Sequence, residues 1–459
     1  MKRLLSLILL SAAPLCADGI TDLRRSCLQR DLLKHADYWL AECIQELFST
    51  DPVHLTIGSV EPGAGTFAYG LGLSAVQRLG QMEFLGTDTI VRSTDGSFLI
   101  NGGLTLALPT MGFTNVKQGT ARYGSSGRWS VPDSKAIDGK ASITFKTSRL
   151  EAKEQDFYGL GNESQRSARS GYSLRLNDFG VAVNDPLSTW TSVGFQADFL
   201  QPRAGLSSNT SIPQVRSAFD EATAPGLTAY TDFASFGPNL NIQFPPRRST
   251  YFVLGAGYQF YHSIDDAARY SFRRLNLSGQ LVYHLRANAR RHRVYATEKG
   301  PEVKEAVTAS GWMKNAICSS ERSGKTCTFG DLYVLTSAIF SSTGSKSQVP
   351  FYFQDTLGGA NFENADTLRG YADYRFRGPD QMLGQLEYRK PIWGPIGFLA
   401  FYDVGKVGLV SSDLSFSHLH HDWGVGLYAR IGNREVARIY LGLGTGEGIQ
   451  LHPKLGNVY

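Results

Sequence analysis

Alternation with a period of two residues constrains this chain more than any other feature. From Thr66 to Ser74, the residues Phe67, Tyr69, Leu71 and Leu73 fall on one face of an extended strand, and Ala68, Gly70, Gly72 and Ser74 fall on the other. A helix would scatter these residues around its axis. A strand instead separates a large apolar face from a small-residue face, as a wall between lipid and an aqueous lumen requires. The alternation recurs near 97–108, 141–153, 171–183, 189–200, 229–244, 250–262, 270–286, 331–342, 381–391, 397–408, 422–431, 435–445 and 449–458. That pattern predicts about 14 strands, with room for another near 81–92.

Composition agrees with such a wall. Glycine supplies 49 of 459 residues, with 21 Tyr and 26 Phe, a mixture that suits short strands, tight turns and interfacial aromatic girdles. Past the leader no run of 18 or more apolar residues occurs, which excludes a helical membrane protein. The net charge of +5 is small against 46 basic and 41 acidic residues. No Lys/Arg block is interleaved with aromatics, so nucleic acid is excluded as a partner.

Residues 1–17 read as a secretory signal: Lys2 and Arg3, the apolar core Leu4 to Leu10, then small residues before Asp18. Leu15 is too bulky for lipid attachment at Cys16, so cleavage near Ala17 is expected to remove that cysteine. Four cysteines then remain, Cys27, Cys43, Cys318 and Cys327, in a compartment that permits disulfides. Cys318 and Cys327 flank a short polar loop that closes easily. On one straight helix Cys27 and Cys43 would lie about 24 Å apart, so that pair needs a helical hairpin or other partners. Residues 18–55 are read as a short helical segment because Leu28, Leu32, Leu33, Ala36, Leu40, Ile44 and Leu47 form an amphipathic stripe that stops at Thr50-Asp51-Pro52.

The chemistry concentrates in the C-terminal quarter. If 381–391 and 397–408 are strands, Gln385, Glu387 and Arg389 share one face, and Phe401, Asp403 and Gly405 share another. A guanidinium in a loop between such strands can meet both acids in forked, charge-assisted hydrogen bonds. The stretch Leu368-Arg369-Gly370-Tyr371 after Leu357-Gly358-Gly359, then Glu387-Tyr388-Arg389 and Phe401-x-Asp403-x-Gly405, resembles the bacterial surface antigen family of outer-membrane barrels, the BamA and TamA superfamily. The resemblance is strongest from Val349 to Tyr459. It implies an all-β fold, a transmembrane antiparallel β-barrel of about 16 strands (14–16) over residues 56–459, with a surface loop near 357–380 folded into the lumen. It also implies that Arg369 pairs with Asp403, with Glu387 as second acid, and that Gly370, Tyr371, Phe401 and Gly405 shape the contact. Asp156-Phe157-Tyr158-Gly159-Leu160-Gly161-Asn162 and Pro62-Gly63-Ala64-Gly65 resemble members without the usual periplasmic POTRA domains, for which residues 18–55 leave no room.

Counting strands back from the Arg369 loop, which the resemblance places outside, puts the insertion bearing Cys318 and Cys327 in the periplasm if no strand lies between 287 and 330. A single strand there would move part of it to the surface, and a pair would shorten it. The last strand directs Ile449, Leu451, Leu455 and Tyr459 toward lipid, and a terminal aromatic resembles the sorting signal of outer-membrane barrels. Pro453 cannot donate to a ladder. Either it weakens the seam between first and last strands, or it sits where those strands no longer pair.

Other motifs have plainer readings. His418, His420, His421 and Asp422 carry metal-ligand chemistry, but they fall between strands without an inferable orienting shell, so no metal is expected. No hydrolase signature occurs, and an Arg beside Asp403 and Glu387 would keep both acids ionised, so no catalytic residue and no cofactor is assigned. Asp156 to Asn162 reads as a turn or bulge around Gly159 and Gly161. Arg273, Arg274, Arg286, Arg290, Arg291 and Arg293 are open to lipid headgroups, a lumen or solvent. The sequence therefore predicts a non-enzymatic barrel of the bacterial outer membrane. By resemblance it is a protein-assembly or translocation factor with an Arg-acid lock, and the alternative is a passive or structural pore. The expected partners are lipopolysaccharide and phospholipid, with client proteins or a homo-oligomer as further possibilities.

Overall fold

The computed structural model describes residues 53–58, 60, 67–79, 82–108, 141–188, 190–247, 250–288, 317–321, 324–361, 365–393, 396–431 and 434–455. The leader, the expected helical segment to Pro52, Cys27, Cys43 and Tyr459 lie outside them. The strands are β1 (Val53–Gly58), β2 (Ala68–Leu79), β3 (Met82–Ser93), β4 (Phe98–Leu108), β5 (Ala141–Phe157), β6 (Ser170–Pro186), β7 (Thr191–Leu206), β8 (Phe233–Arg247), β9 (Thr250–Ser263), β10 (Phe272–Asn288), β11 (Ile317–Glu321), β12 (Gly324–Thr343), β13 (Asp355–Leu357), β14 (Phe376–Gly378), β15 (Asp380–Trp393), β16 (Ile396–Gly408), β17 (His420–Ile431), β18 (Arg434–Gly444) and β19 (Gly448–Leu455). β1 begins inside the segment read as helical.

Seventeen strands form one sheet, and β13 and β14 form a separate two-stranded ribbon. Every ladder is antiparallel, β1 to β10 in chain order, then β12, then β15 to β19. β10 occupies one whole flank of β12, so the short β11 shares the other flank with β15, further toward the strand end. Sixteen strands thus lie side by side. The sheet curls until β1 and β19 approach each other, but among the described residues no ladder joins them. The expected closed ring is therefore not sealed by described hydrogen bonds. No described helix is long and apolar enough to cross a membrane.

Strand direction gives the sheet two unlike ends. At one, β2 and β3, β8 and β9, β15 and β16, and β17 and β18 are each separated by two residues, the spacing of tight hairpins. The other carries the long connections 158–169, 207–232, 264–271, 344–379 and 409–419. β11 and the start of β12 belong to the tight-turn end, opposite the Arg369 loop, and their register sets the backbones of Cys318 and Cys327 across from each other.

Outward positions are apolar and exposed: Tyr69, Leu71, Ile90, Leu104, Phe145, Phe179, Phe195, Trp423, Leu441 and Leu451 among them. A band this extensive exceeds what a water-soluble monomer shows. The inward core lies at the loop end, where Phe351, in the turn Phe351–Phe353, meets Phe157 and Tyr172 edge to face at 5.3 and 5.0 Å, and Phe353 meets Phe233 at 4.9 Å. Glu221 ties the 207–232 connection into this cluster by accepting hydrogen bonds from the Tyr270 hydroxyl and the Gly226 and Thr228 amides.

Candidate functional site

The 344–379 connection folds into the concave side of the sheet. Its entry needs Gly358 (φ +118°) and Gly359 (φ +52°), left-handed positions that side chains resist. The Gly359 amide donates to the Leu368 carbonyl and the Thr367 amide to Gly359, both at 2.8 Å. Leu357, Leu368, Tyr371 and Phe376 then bury against Val407 of β16. The backbone at Gly370 lies directly on β18. A Cβ at Gly370 would come 2.6 Å from Asp422 Cβ, and side chains at Gly442 or Gly444 would collide with the Arg369 or Gly370 carbonyls.

That approach delivers Arg369, 2% exposed, onto the wall. Its Nε donates to Asp403 Oδ2 and its Nη2 to Asp403 Oδ1, each at 2.7 Å, and Nη1 donates to Glu387 Oε2. The guanidinium also lies 3.7 Å from the Phe401 ring centroid. Gln385 fixes the frame, donating to the Thr367 carbonyl at 2.8 Å and to Asp403 at 3.3 Å. Burial would pull the Arg369 guanidinium down, but Asp403, Glu387 and Asp366 reverse this and hold it above the ordinary arginine value. Removing one partner from such a dry pair costs about 3–5 kcal/mol.

The contact is one link in a chain of charges. Glu387 also accepts from Arg389, Arg389 donates to Glu435 at 2.7 Å, and Arg438 joins Glu435 to Asp366, each at 2.5 Å. Asp366, three residues before Arg369, then accepts from Lys454 of β19 at 2.8 Å and from the Tyr440 hydroxyl at 3.1 Å. Burial would raise the Asp366 carboxyl, but Lys454, Arg438 and Arg369 hold it below the usual carboxylate range. The connection thereby touches β15, β16, β18 and β19.

Two more guanidiniums of the same connection point inward. Arg375 Nε meets Glu447 Oε1 at 2.5 Å and its Nη1 donates to Ser164 at 3.0 Å. Arg377 donates to the Phe351 carbonyl at 2.8 Å and the Tyr172 hydroxyl at 3.1 Å, with the rings of Phe157, Tyr172 and Phe351 all within 6 Å. Neither Arg375, Arg377 nor Asp366 was singled out from the sequence. A usable signal existed in the alternation Tyr374-Arg375-Phe376-Arg377, and in charged Arg438 and Lys454 at inward positions beside apolar Ile439 and Leu451.

The remaining candidates fall as follows. Tyr371 stacks edge-on to Phe376 and donates to the His421 carbonyl at 3.3 Å. Gly405 leaves room for Leu357. Pro453 pairs with Ile439 on β18, leaving its other flank toward β1. The histidines diverge: His420 stacks on Phe376 at 3.8 Å, while His421 turns to the Tyr402 hydroxyl on the other face at 2.6 Å. Gly159 and Gly161 both adopt positive φ, near +92°. Arg274 bonds the Phe353 carbonyl and lies 3.3 Å from Asp355, and Arg273 lies over Phe260. The other four basic candidates have no described side chain.

No family model matches the sequence, and no curated protein matches it. Among solved structures, BamA from Haemophilus ducreyi lacking POTRA domains 1–3 is similar at 10% identity, covering 89% of this chain and 70% of that one, with a TM-score of 0.49. CdiB from Escherichia coli is similar at 14% identity, covering 89% and 63%, with a TM-score of 0.49. OprD of Pseudomonas aeruginosa is similar at 9% identity, covering 88% and 92%, with a TM-score of 0.34. The chain spans less than two thirds of the CdiB length.

Proposed function

We propose that this chain is a non-enzymatic β-barrel of the bacterial outer membrane whose own 344–379 connection is locked inside the lumen, and that it works as an assembly or translocation factor. The observation that carries the reading is the placement of Arg369, Arg375 and Arg377 of one connection against widely separated parts of the wall. An open diffusion channel gains nothing from so much buried charge, whereas a barrel that must stay sealed until a client arrives does. The resemblance of the Arg369, Glu387 and Asp403 motifs supports the same class, and the outward apolar band supports a lipid environment. In this arrangement the loop end faces outward and the tight-turn end, with Cys318 and Cys327, faces the periplasm.

A passive pore is the second reading. It is favoured by the inner wall of β4 to β7, where the inward residues Thr105, Thr144, Ser142, Ser148 and Ser192 are small and polar, though buried. Depletion of the protein followed by quantitation of outer-membrane proteins separates the two. Loss of other barrels supports assembly, and an unchanged set of barrels with reduced solute uptake rejects it. Conductance in planar bilayers tests the lock: wild type should conduct little and Arg369→Ala more. Equal conductance would remove the loop as the seal.

A further inference from the structure

Resting on the barrel reading, we infer that the outer face of β5 to β7 carries a binding site for phosphomonoester headgroups of the surrounding lipid leaflet. Register places Arg175 of β6 directly across from Arg203 of β7, and Glu151 of β5 directly across from Arg175. Residues opposite one another in an antiparallel pair share a face. That face is the lipid face, because Phe179 and Phe199, also register partners, are exposed on it four residues away from the two arginines. At the strand rise the arginines stand about 13 Å beyond those rings along the strands, toward the loop end.

Two guanidiniums directly opposite each other repel, so the sequence tolerates the pair only where negative charge is at hand. The protein supplies part of it. Glu151 is shared by Arg175 at 3.3 Å, Arg149 at 3.7 Å and Lys153, and Asp232 takes Arg203 at 2.6 Å. Four cations thus face two carboxylates. The side chains of Arg149, Arg175 and Arg203 stay 48%, 51% and 40% exposed, accessible from the surroundings, although Arg203 also donates to the Pro202 carbonyl at 2.7 Å. A phosphate fits this better than a carboxylate or a zwitterionic headgroup, because its several oxygens can bridge forked donors on neighbouring strands. By contrast, the outward residues at the same end of β17 to β19 are His421, Trp423, Leu443 and Ile449, with no lysine or arginine among them.

The test uses the full chain purified in detergent and challenged with bisphosphorylated lipid A, its dephosphorylated form, and phosphatidylglycerol as a phosphodiester control. Wild type should retain phosphorylated lipid A over both others. Arg175→Gln with Arg203→Gln should weaken that retention roughly twentyfold, and the paired lysine variant, which keeps charge without the fork, should lose less. Heat-modifiable gel mobility reports whether each variant is folded, and the lysine pair decides the matter if the glutamine pair is not. Equal retention of the phosphorylated and dephosphorylated lipids, or of wild type and both variants, overturns the site while leaving the barrel standing. Retention of phosphatidylglycerol equal to lipid A overturns the preference for phosphomonoesters. Failure of the wild type to insert into bilayers overturns the barrel reading itself.

Discussion

Arg369 and Arg377 belong to the same connection, lie eight positions apart in sequence, and are almost equally buried, at 2% and 1% exposed. Their surroundings differ in kind. Arg369 is met by two carboxylates from adjacent strands, with the Phe401 ring beneath it at 3.7 Å and the Tyr440 ring at 6.0 Å. Arg377 is met by a carbonyl, a phenol and three rings. The first contact works through charge, and fails if either sign is removed. The described contacts of the second combine shape and polarisable faces with hydrogen bonds to a carbonyl and a phenol. In their described contacts, one end of the connection is held by paired charges and the other adds a cluster of aromatic faces.

The largest test of that contrast is truncation. Arg369→Ala leaves Asp403 and Glu387 facing each other in a dry site and should lower barrel stability by about 3–5 kcal/mol, read as the urea midpoint of heat-modifiable gel mobility. Asp403→Asn should act in the same direction. Unchanged midpoints in both variants would remove the charge argument. Arg377→Ala should cost less, about 2–3 kcal/mol, since it removes hydrogen bonds from a charged donor together with packing. Methionine sharpens the comparison: Arg377→Met should recover a good part of that loss against the aromatic rings, and Arg369→Met should recover none. Equal behaviour of the two methionine variants would show that the sites do not differ in kind.

Smaller effects probe how the connection seats. Gly442→Ala places a methyl against the Arg369 carbonyl and should cost about 1–3 kcal/mol through overpacking, with a rise in conductance if the connection is displaced. The smallest expected effect is in pH. Asp366 is held below the ordinary carboxylate range, so its contribution is complete above the unfolded value near 4 and fades only as pH falls through the lower folded value. The gap between wild type and Asp366→Asn, about 1.5 kcal/mol, should therefore be flat from pH 8 to pH 5 and close only in stronger acid. A gap that closes near neutral pH would mean that Asp366 lacks its cationic partners.

Much of the sheet was legible because an apolar outward face and a small or polar inward face impose a two-residue period. The segments read from alternation fall on β2, β4 to β10, β12 and β15 to β19, most within a few residues of the observed ends, and β3 fills the room left near 81–92. β1 was missed because Val53-His54-Leu55-Thr56-Ile57 follows an amphipathic helical stripe and carries one alternation too few to stand out. β11 is a five-residue strand in a charged insertion, too short to announce itself.

The sequence by itself determined which residues alternate outward, because period is a local property, and its family resemblance nominated one buried arginine, Arg369, with two of the acids that it meets, Asp403 and Glu387. It could not decide how far the connection travels once inside. That Asp366 reaches Lys454, Arg375 reaches Glu447 and Arg377 reaches Tyr172 depends on a curled sheet bringing β6 and β19 within reach of one loop. Contacts between residues dozens to hundreds of positions apart are fixed by the curl of the sheet in three dimensions, and only the tertiary structure supplies it.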